Sequence, residues 1–360
     1  MVTAGNIVEY IQSVAPEALA EHDDPVGMHV GDIKAPVERL VMALDASQRV
    51  IQQAIDRNAN MLVTHHPLVY RPLQRLTPDD PVSIRVIELI KHDIALYCAH
   101  TNLDRADGGN NDTLAELLEL GDVEQIIRVG NQSLHKIAVF VPGDSVDRVA
   151  EAMGDAGAGS IGLYSHCSFR TSGTGYFKPL EGSHPHIGQT GVLESVEEMR
   201  LEMVCPESLV DRVISAMKAS HPYEVPAYDI YELENHLPSL GLGRIGNLKN
   251  RMSLRDFAFQ VERTLEVTGI RVYGECPTGV ERVAVCSGAG SSFYREAMKH
   301  GADVLVTGDV KHHDAIDAQC CGIAIIDAGH FETERPGIRA LAKKTGDEFA
   351  DSGVEVEYVE

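Results

Sequence analysis

The chain repeats itself, and that repeat constrains its architecture more than any single motif. Residues 39–66 read RLVMALDASQRVIQQAIDRNANMLVTHH, and residues 282–309 read RVAVCSGAGSSFYREAMKHGADVLVTGD. Each is an apolar β-rich run, a short turn, an amphipathic helical stretch, then Leu-Val-Thr leading to a polar pair. HDIALYCAHTNLD (92–104) and CGIAIIDAGHFETE (321–334) extend the match, one with His-x-x-x-Asp and the other with His-x-x-x-Glu. Strands alternating with helices at this spacing predict an α/β fold with a mainly parallel sheet. The two related halves make a three-layer αβα core in which polar residues leave the carboxyl ends of strands, the edge where open α/β sheets bind ligands.

The middle of the chain has a different rhythm. HKIAVFVPGDSVDRVAEAMGDAG (135–157) resembles EMRLEMVCPESLVDRVISAMKAS (198–220), and each is followed by an extended segment, GYFKPL (175–180) and AYDIYEL (227–233). This repeated β-α-β pattern predicts an inserted ferredoxin-like α+β domain. The expected division is a discontinuous core of 1–128 and 242–360 with an insert of 129–241. The glycine-rich stretches GDAGAGSIG (154–162) and GLGRIGNL (241–248) read as surface connections.

Composition excludes several classes. The 360 residues are 44% hydrophobic and 24% charged, enough for sizeable cores without disulfides. No run of 18 apolar residues is present, and the amino-terminal segment lacks a basic start and a cleavage site, so neither a membrane span nor a secretory signal is expected. Seven cysteines without C-x-x-C spacing fit a reducing, cytoplasmic setting. A net charge of −23 argues against nucleic acid as partner, because phosphate neutralisation needs a basic stripe. A small-molecule substrate is expected instead.

The chemistry-bearing residues cluster at the repeated strand ends. His65 and His66 follow the strand MLVT, Asp104 follows ALYC, and His330 and Glu334 follow AIID. Taken singly, each has an ordinary reading: a structural histidine, a turn aspartate, a glutamate complementing a helix N-terminus. Together they form a mixed nitrogen and oxygen set that suits zinc, iron or manganese. Five protein ligands are too many for one tetrahedral ion with an open position. They suit two divalent ions about 3.5–4 Å apart, an arrangement that activates water, and no side chain is assigned as the catalytic group. His100 is a rival ligand or an orienting partner. Asp309 is a further candidate near the metals or substrate. The turn Ser287-Gly288-Ala289-Gly290 before a helix offers a possible seat for an anion, although it is not a P-loop and an ordinary tight turn fits equally well.

THHP, AHTNLD, TGDVKHHDA and GHFETE, in this order, resemble the NGG-one-interacting-factor-three-like family, whose members are also called GTP cyclohydrolase type 2 homologues and dinuclear metal centre, hexameric proteins. The resemblance spans nearly the whole chain. It implies His65, His66, Asp104, His330 and Glu334 as ligands of two ions, GTP as substrate, guanine ring-opening hydrolysis as the reaction, and a homohexamer. The family often has Trp-Asp-Asn before Val-Gly near the amino terminus; this chain has Asp23-Asp24-Pro25 before Val26-Gly27, and no tryptophan. The contrasting expectation is a metal-handling or regulatory protein that binds ligands without turnover, with a weaker third option of an interaction partner in transcription.

Overall fold

The computed structural model describes residues 1–21, 23–127, 133–161, 164–236 and 241–360. In chain order the strands are β1 Gly27–Val30, β2 Arg39–Ala43, β3 Met61–Thr64, β4 Ala95–Cys98, β5 Gly121–Ile127, β6 Ser133–Pro142, β7 Ser168–Phe177, β8 Glu194–Pro206, β9 Tyr228–His236, β10 Leu242–Met252, β11 Arg271–Tyr273, β12 Val280–Val285, β13 Val304–Thr307, β14 Ala324–Asp327 and β15 Glu355–Tyr358. The helices are α1 Ala4–Val14, α2 Gln48–Asp56, α3 Pro81–Lys91, α4 Thr101–Arg105, α5 Asn110–Leu117, α6 Val146–Asp155, α7 Val210–Ser220, α8 Leu254–Thr264, α9 Tyr294–Lys299, α10 His312–Cys321 and α11 His330–Phe349.

Contacts divide the chain into two compact units, residues 1–128 with 240–360, and residues 129–239. The expected boundary at 128/129 lies outside the described residues.

The first unit contains two separate sheets, one for each half of the repeat. The first has the order β1-β4-β3-β2-β15, and the second β11-β14-β13-β12-β10-β5. In each, three consecutive strands run parallel (β2, β3, β4 and β12, β13, β14), and the short strand preceding them returns antiparallel against the third. The three parallel strands are continuous apolar runs because helices cover both faces. On the first sheet, Val50, Ile51 and Ala54 of α2 and Val86 and Leu89 of α3 pack against Val41, Leu62 and Leu96. Ile7 and Ile11 of α1 and Ile338 and Leu341 of α11 pack against Met42, Val63 and Tyr97 on the opposite face. Each such aliphatic side chain contributes roughly 1.5–3 kcal/mol relative to exposure. α2 starts where Ser47 accepts the Val50 amide, a side-chain cap for an otherwise unpaired N–H.

One expectation fails. GLGRIGNL is no surface connection; it lies in β10, paired between β12 and β5. Its glycines answer to close packing rather than to a turn. A Cβ on Gly243 would come within 2.9 Å of the Val285 carbonyl oxygen, and one on Gly246 within 2.8 Å of that of Gly121. The other glycine-rich stretch finishes α6 and enters turns through Gly157 and Gly159, both at positive φ; its last residue, 162, lies outside the described residues.

The second unit is a β-α-β-β-α-β fold with antiparallel sheet order β7-β8-β6-β9, the ferredoxin-like arrangement. α6 and α7 pack on one face through Val149, Met153, Val213 and Met217 against Ile137, Val139, Leu201 and Met203.

Candidate metal centre

The carboxyl ends of the parallel strands of both sheets deliver side chains to one cluster. His66 follows β3, Asp104 lies on α4 just past β4, and His330 and Glu334 occupy the first turns of α11 after β14. Asp104 sits on the short helix Thr101–Arg105 and is buried there. On α11 the spacing of four places His330 Nε2 3.1 Å from Glu334 Oε2.

Glu334 is the hub. Its Oε1 lies 3.6 Å from His65 Nε2, and its Oε2 lies 3.0 Å from His66 Nε2. Two groups result, His65–Asp104–Glu334 and His66–His330–Glu334, each with one ligand atom per residue within 4.8 Å of the others. A third such group, His65–His66–His100, adjoins them. His65 is fully buried and Glu334 nearly so, whereas the His66 and His330 side chains are 24% and 33% exposed and mark the open side.

The imidazoles share one orientation. Nδ1 of His65 meets the Ala99 carbonyl at 2.8 Å, that of His66 meets Asp45 at 2.8 Å, that of His330 meets Asp309 at 2.7 Å, and that of His100 meets Asp24 at 2.8 Å. An acceptor on Nδ1 fixes the proton there and leaves Nε2 for a ligand; metal-binding histidines are held in this way. Asp309 adopts φ +49°, a left-handed conformation that Asp tolerates better than most residues.

Charge sets the demand. With neutral imidazoles the cluster would hold two buried carboxylates and no cation, a costly state. Without an ion the histidines must carry the charge. Burial opposes a charged His66, but hydrogen bonds with Asp45 and Glu334 push its pKa up to about 10. The bond with Glu334 chiefly lifts His330 to about 9. Burial likewise opposes charge on His65, yet the Asp104 and Glu334 carboxylates raise it. Burial raises Asp104, with the Glu334 charge adding to it. Glu334 goes the other way, because His65, His330 and His66 overcome its burial and hold it well below the usual range. With His66 and His330 neutral and protonated at Nδ1, Glu334 Oε2 is buried with no donor. A donor set of imidazole nitrogens and carboxylate oxygens facing an unsatisfied buried oxygen fits divalent cations.

Other side chains complete the pocket. Asn110 donates to Asp104 Oδ1 at 2.6 Å, Asn111 donates to the Asp104 carbonyl, and Ser287 Oγ stands 3.3 Å from Asp104 Oδ1. Asn110 and Asn111 open α5, and this cap-like position masks their inward side chains in the sequence. Asp45 was missed too, and its signal was its place directly past β2 in the repeat. The anion seat is not free: the amides of Ser287, Gly288 and Gly290 donate to Asn111, Thr333 and Thr307. Gly288, at φ +65°, instead lets the backbone approach Glu334, whose Oε1 would lie 2.2 Å from an added Cβ. Asp24, at the aspartate position of the family's Trp-Asp-Asn, accepts from His100 and Thr101, which hold its pKa down against burial. His312 and His313 are exposed on α10.

This fold and cluster define a class: a duplicated α/β core whose strand ends gather histidines and carboxylates able to hold metal ions. The chain belongs to the Duf34/NIF3 (NGG1p interacting factor 3) family, whose model matches residues 2–360. A protein of Bacillus subtilis (strain 168) named GTP cyclohydrolase 1 type 2 homolog is 44% identical over 330 residues, covering 92% of this chain and 88% of its own. One of the same name from Mycobacterium tuberculosis (strain ATCC 25618) is 36% identical over 357 residues, covering 98% of this chain and 93% of its own. Among solved structures, a Bacillus cereus protein related to NIF3 is similar at TM-score 0.71 and 40% identity, covering 99% of this chain and 96% of that one. The Staphylococcus aureus protein SA1388 is similar at TM-score 0.73 and 28% identity, covering 99% and 96%.

Proposed function

We propose that the chain is a dinuclear metal protein that hydrolyses a small nucleotide-like molecule, with GTP the first substrate to test from the name its relatives bear. The observation that carries this reading is the division of the cluster by Glu334, one oxygen toward His65 and the other toward His66 and His330. Asp104 and His65 would serve one ion, His66 and His330 the other, and Glu334 both. Two divalent ions (zinc, iron or manganese) would supply Lewis acidity to water and to the electrophilic atom under attack. Asp45 and Asp309 hold His66 and His330 in the tautomer that leaves Nε2 free, and Asn110 fixes Asp104. The exposed edges of His66 and His330 give the substrate its approach. The same reading places the protein in the cytoplasm as a homo-oligomer, a hexamer by the family resemblance. Among the described residues no helix is long and apolar enough to cross a membrane.

The test is metal analysis followed by turnover of GTP and a panel of phosphoesters, with His65→Ala and Glu334→Ala as controls. Two ions per chain and turnover lost in both variants support the proposal. Full loading without turnover leaves a metal-handling or regulatory protein, and one ion or none removes the dinuclear site.

A further inference from the structure

The ferredoxin-like unit contains a cavity of about 580 Å³ lined wholly by its own residues. That volume is typical of small-molecule sites. It opens on the sheet face away from α6 and α7: along β8, Leu201, Met203 and Cys205 pack toward the helices, and the alternate residues Glu198 and Arg200 line the cavity.

Three features make this more than a dent in a sheet. Gly173 and Gly175 of β7 leave the floor bare. A Cβ on Gly173 would meet nothing within 4 Å, whereas one on Gly175 would fall 2.2 Å from Glu198 Oε2, so the Glu198 carboxylate lies over that glycine. Tyr223 donates to Glu198 Oε1 at 2.9 Å and orients it. The Tyr223 ring stands 6.2 Å from that of Phe177 and 6.1 Å from that of His186, which gives the cavity an aromatic wall. Burial and the bond with Glu198 raise the Tyr223 pKa, so the hydroxyl stays a donor.

We propose that this cavity binds a planar nitrogen heterocycle that stacks on the aromatic wall and turns two adjacent N–H groups to Glu198. An ionised carboxylate only accepts, and it can take two parallel N–H bonds. Glu198 Oε2 receives no hydrogen bond from a described side chain and is available for one. Arg200, on the same face, pairs with Glu202 at 3.0 Å through Nε and lies over the Tyr231 ring. The aromatic wall beside Glu198 favours a flat ligand with a donor edge, while Lys178 and Glu224 also line the cavity. Guanine, with its ring N–H beside an amino group, is the test member. Every lining residue belongs to the insert and none is a metal-cluster residue.

The experiment is calorimetric titration of the full chain with guanosine, which carries no phosphate, and with inosine, which lacks the amino group. Guanosine binding is expected, with inosine at least tenfold weaker. Gly173→Val has room for its side chain and suits a strand, so it should abolish binding without lowering Tm. Glu198→Gln should weaken binding at least tenfold, and His65→Ala should leave it unchanged. Absence of guanosine binding, or binding indifferent to both Gly173→Val and Glu198→Gln, overturns the proposal. So does a Gly173→Val chain that changes its sedimentation instead, since the face would then belong to a second copy. Loss of binding in His65→Ala would also overturn it, by assigning guanosine to the metal cluster.

Discussion

His66 and His330 lie 264 residues apart in the chain, yet their Nε2 atoms stand 3.2 Å from each other. Their Nδ1 atoms point the opposite way, to Asp45 and Asp309. Two imidazole nitrogens held this close, with Glu334 Oε2 about equally near, cannot all present bare lone pairs to one another. Something positive must sit among them, either protons or a metal ion. The duplicated fold brings one histidine from each half to this point.

Removing the shared carboxylate therefore tests the centre most directly. Glu334→Gln keeps the shape but halves the acceptor capacity and removes the charge. Metal content measured after dialysis against trace zinc should fall from two ions per chain to one or fewer. Circular dichroism should remain that of the native fold, because the flanking strands are held by their own apolar cores. Two retained ions would show that Glu334 is not shared between them.

The metal-free and loaded proteins should respond to pH in opposite senses. In the absence of an ion, the folded-state values of about 10 for His66 and about 9 for His330 lie above the unfolded value of 6.5. Their charged forms thus stabilise the metal-free fold fully below about pH 6.5, and that contribution is lost as pH rises through about 9 to 10. A bound ion requires neutral imidazoles, so loading improves as pH rises and protons leave. The gap in Tm between zinc-loaded and chelator-treated protein should widen from about pH 6 to about pH 9. A constant or narrowing gap would contradict the linkage.

Much of this arrangement is legible in the sequence because the repeat marks equivalent strand ends. A residue such as His330 is placed by its neighbours: a buried strand before it and a helix after it. Asn110 is not legible in the same way. Its type and position satisfy a helix start, and only the fold shows its side chain turned to Asp104. β10 fails for a different reason. Glycine marks turns and close backbone approaches alike, and sequence alone does not separate Gly243 of a strand from a glycine of a loop. The insert cavity depends on Tyr223 meeting Glu198 across 25 residues, a contact without local periodicity.

The outer aspartates give a graded test. Asp45 and Asp309 are 54% and 62% exposed at the side chain, so each contributes little to folding. Their effect should appear in metal affinity, because each fixes an imidazole tautomer. Asp45→Ala and Asp309→Ala are expected to weaken zinc binding by about 10–100-fold, measured by competition with a chelator of known affinity, at unchanged stoichiometry. Unchanged affinity in both would mean that ring packing alone orients the histidines.

Arg244 carries the strongest stability prediction. Its side chain is 2% exposed, donates to Asp112 Oδ2 at 2.8 Å, and also reaches the carbonyls of Gly241, Gly243 and Ala106. Asp112 lies on α5 beside Asn110 and Asn111, so this buried cation anchors the helix that braces Asp104. Truncation leaves a largely buried carboxylate and several carbonyls without their donor, whereas replacing both partners removes the stranded charge. Arg244→Ala should lower unfolding free energy by about 3–5 kcal/mol, read from the urea midpoint at constant slope. Combining it with Asp112→Leu should recover part of that loss. If the double variant is less stable by the full sum of the single changes, the two residues act separately, and Arg244 matters through its carbonyl contacts alone.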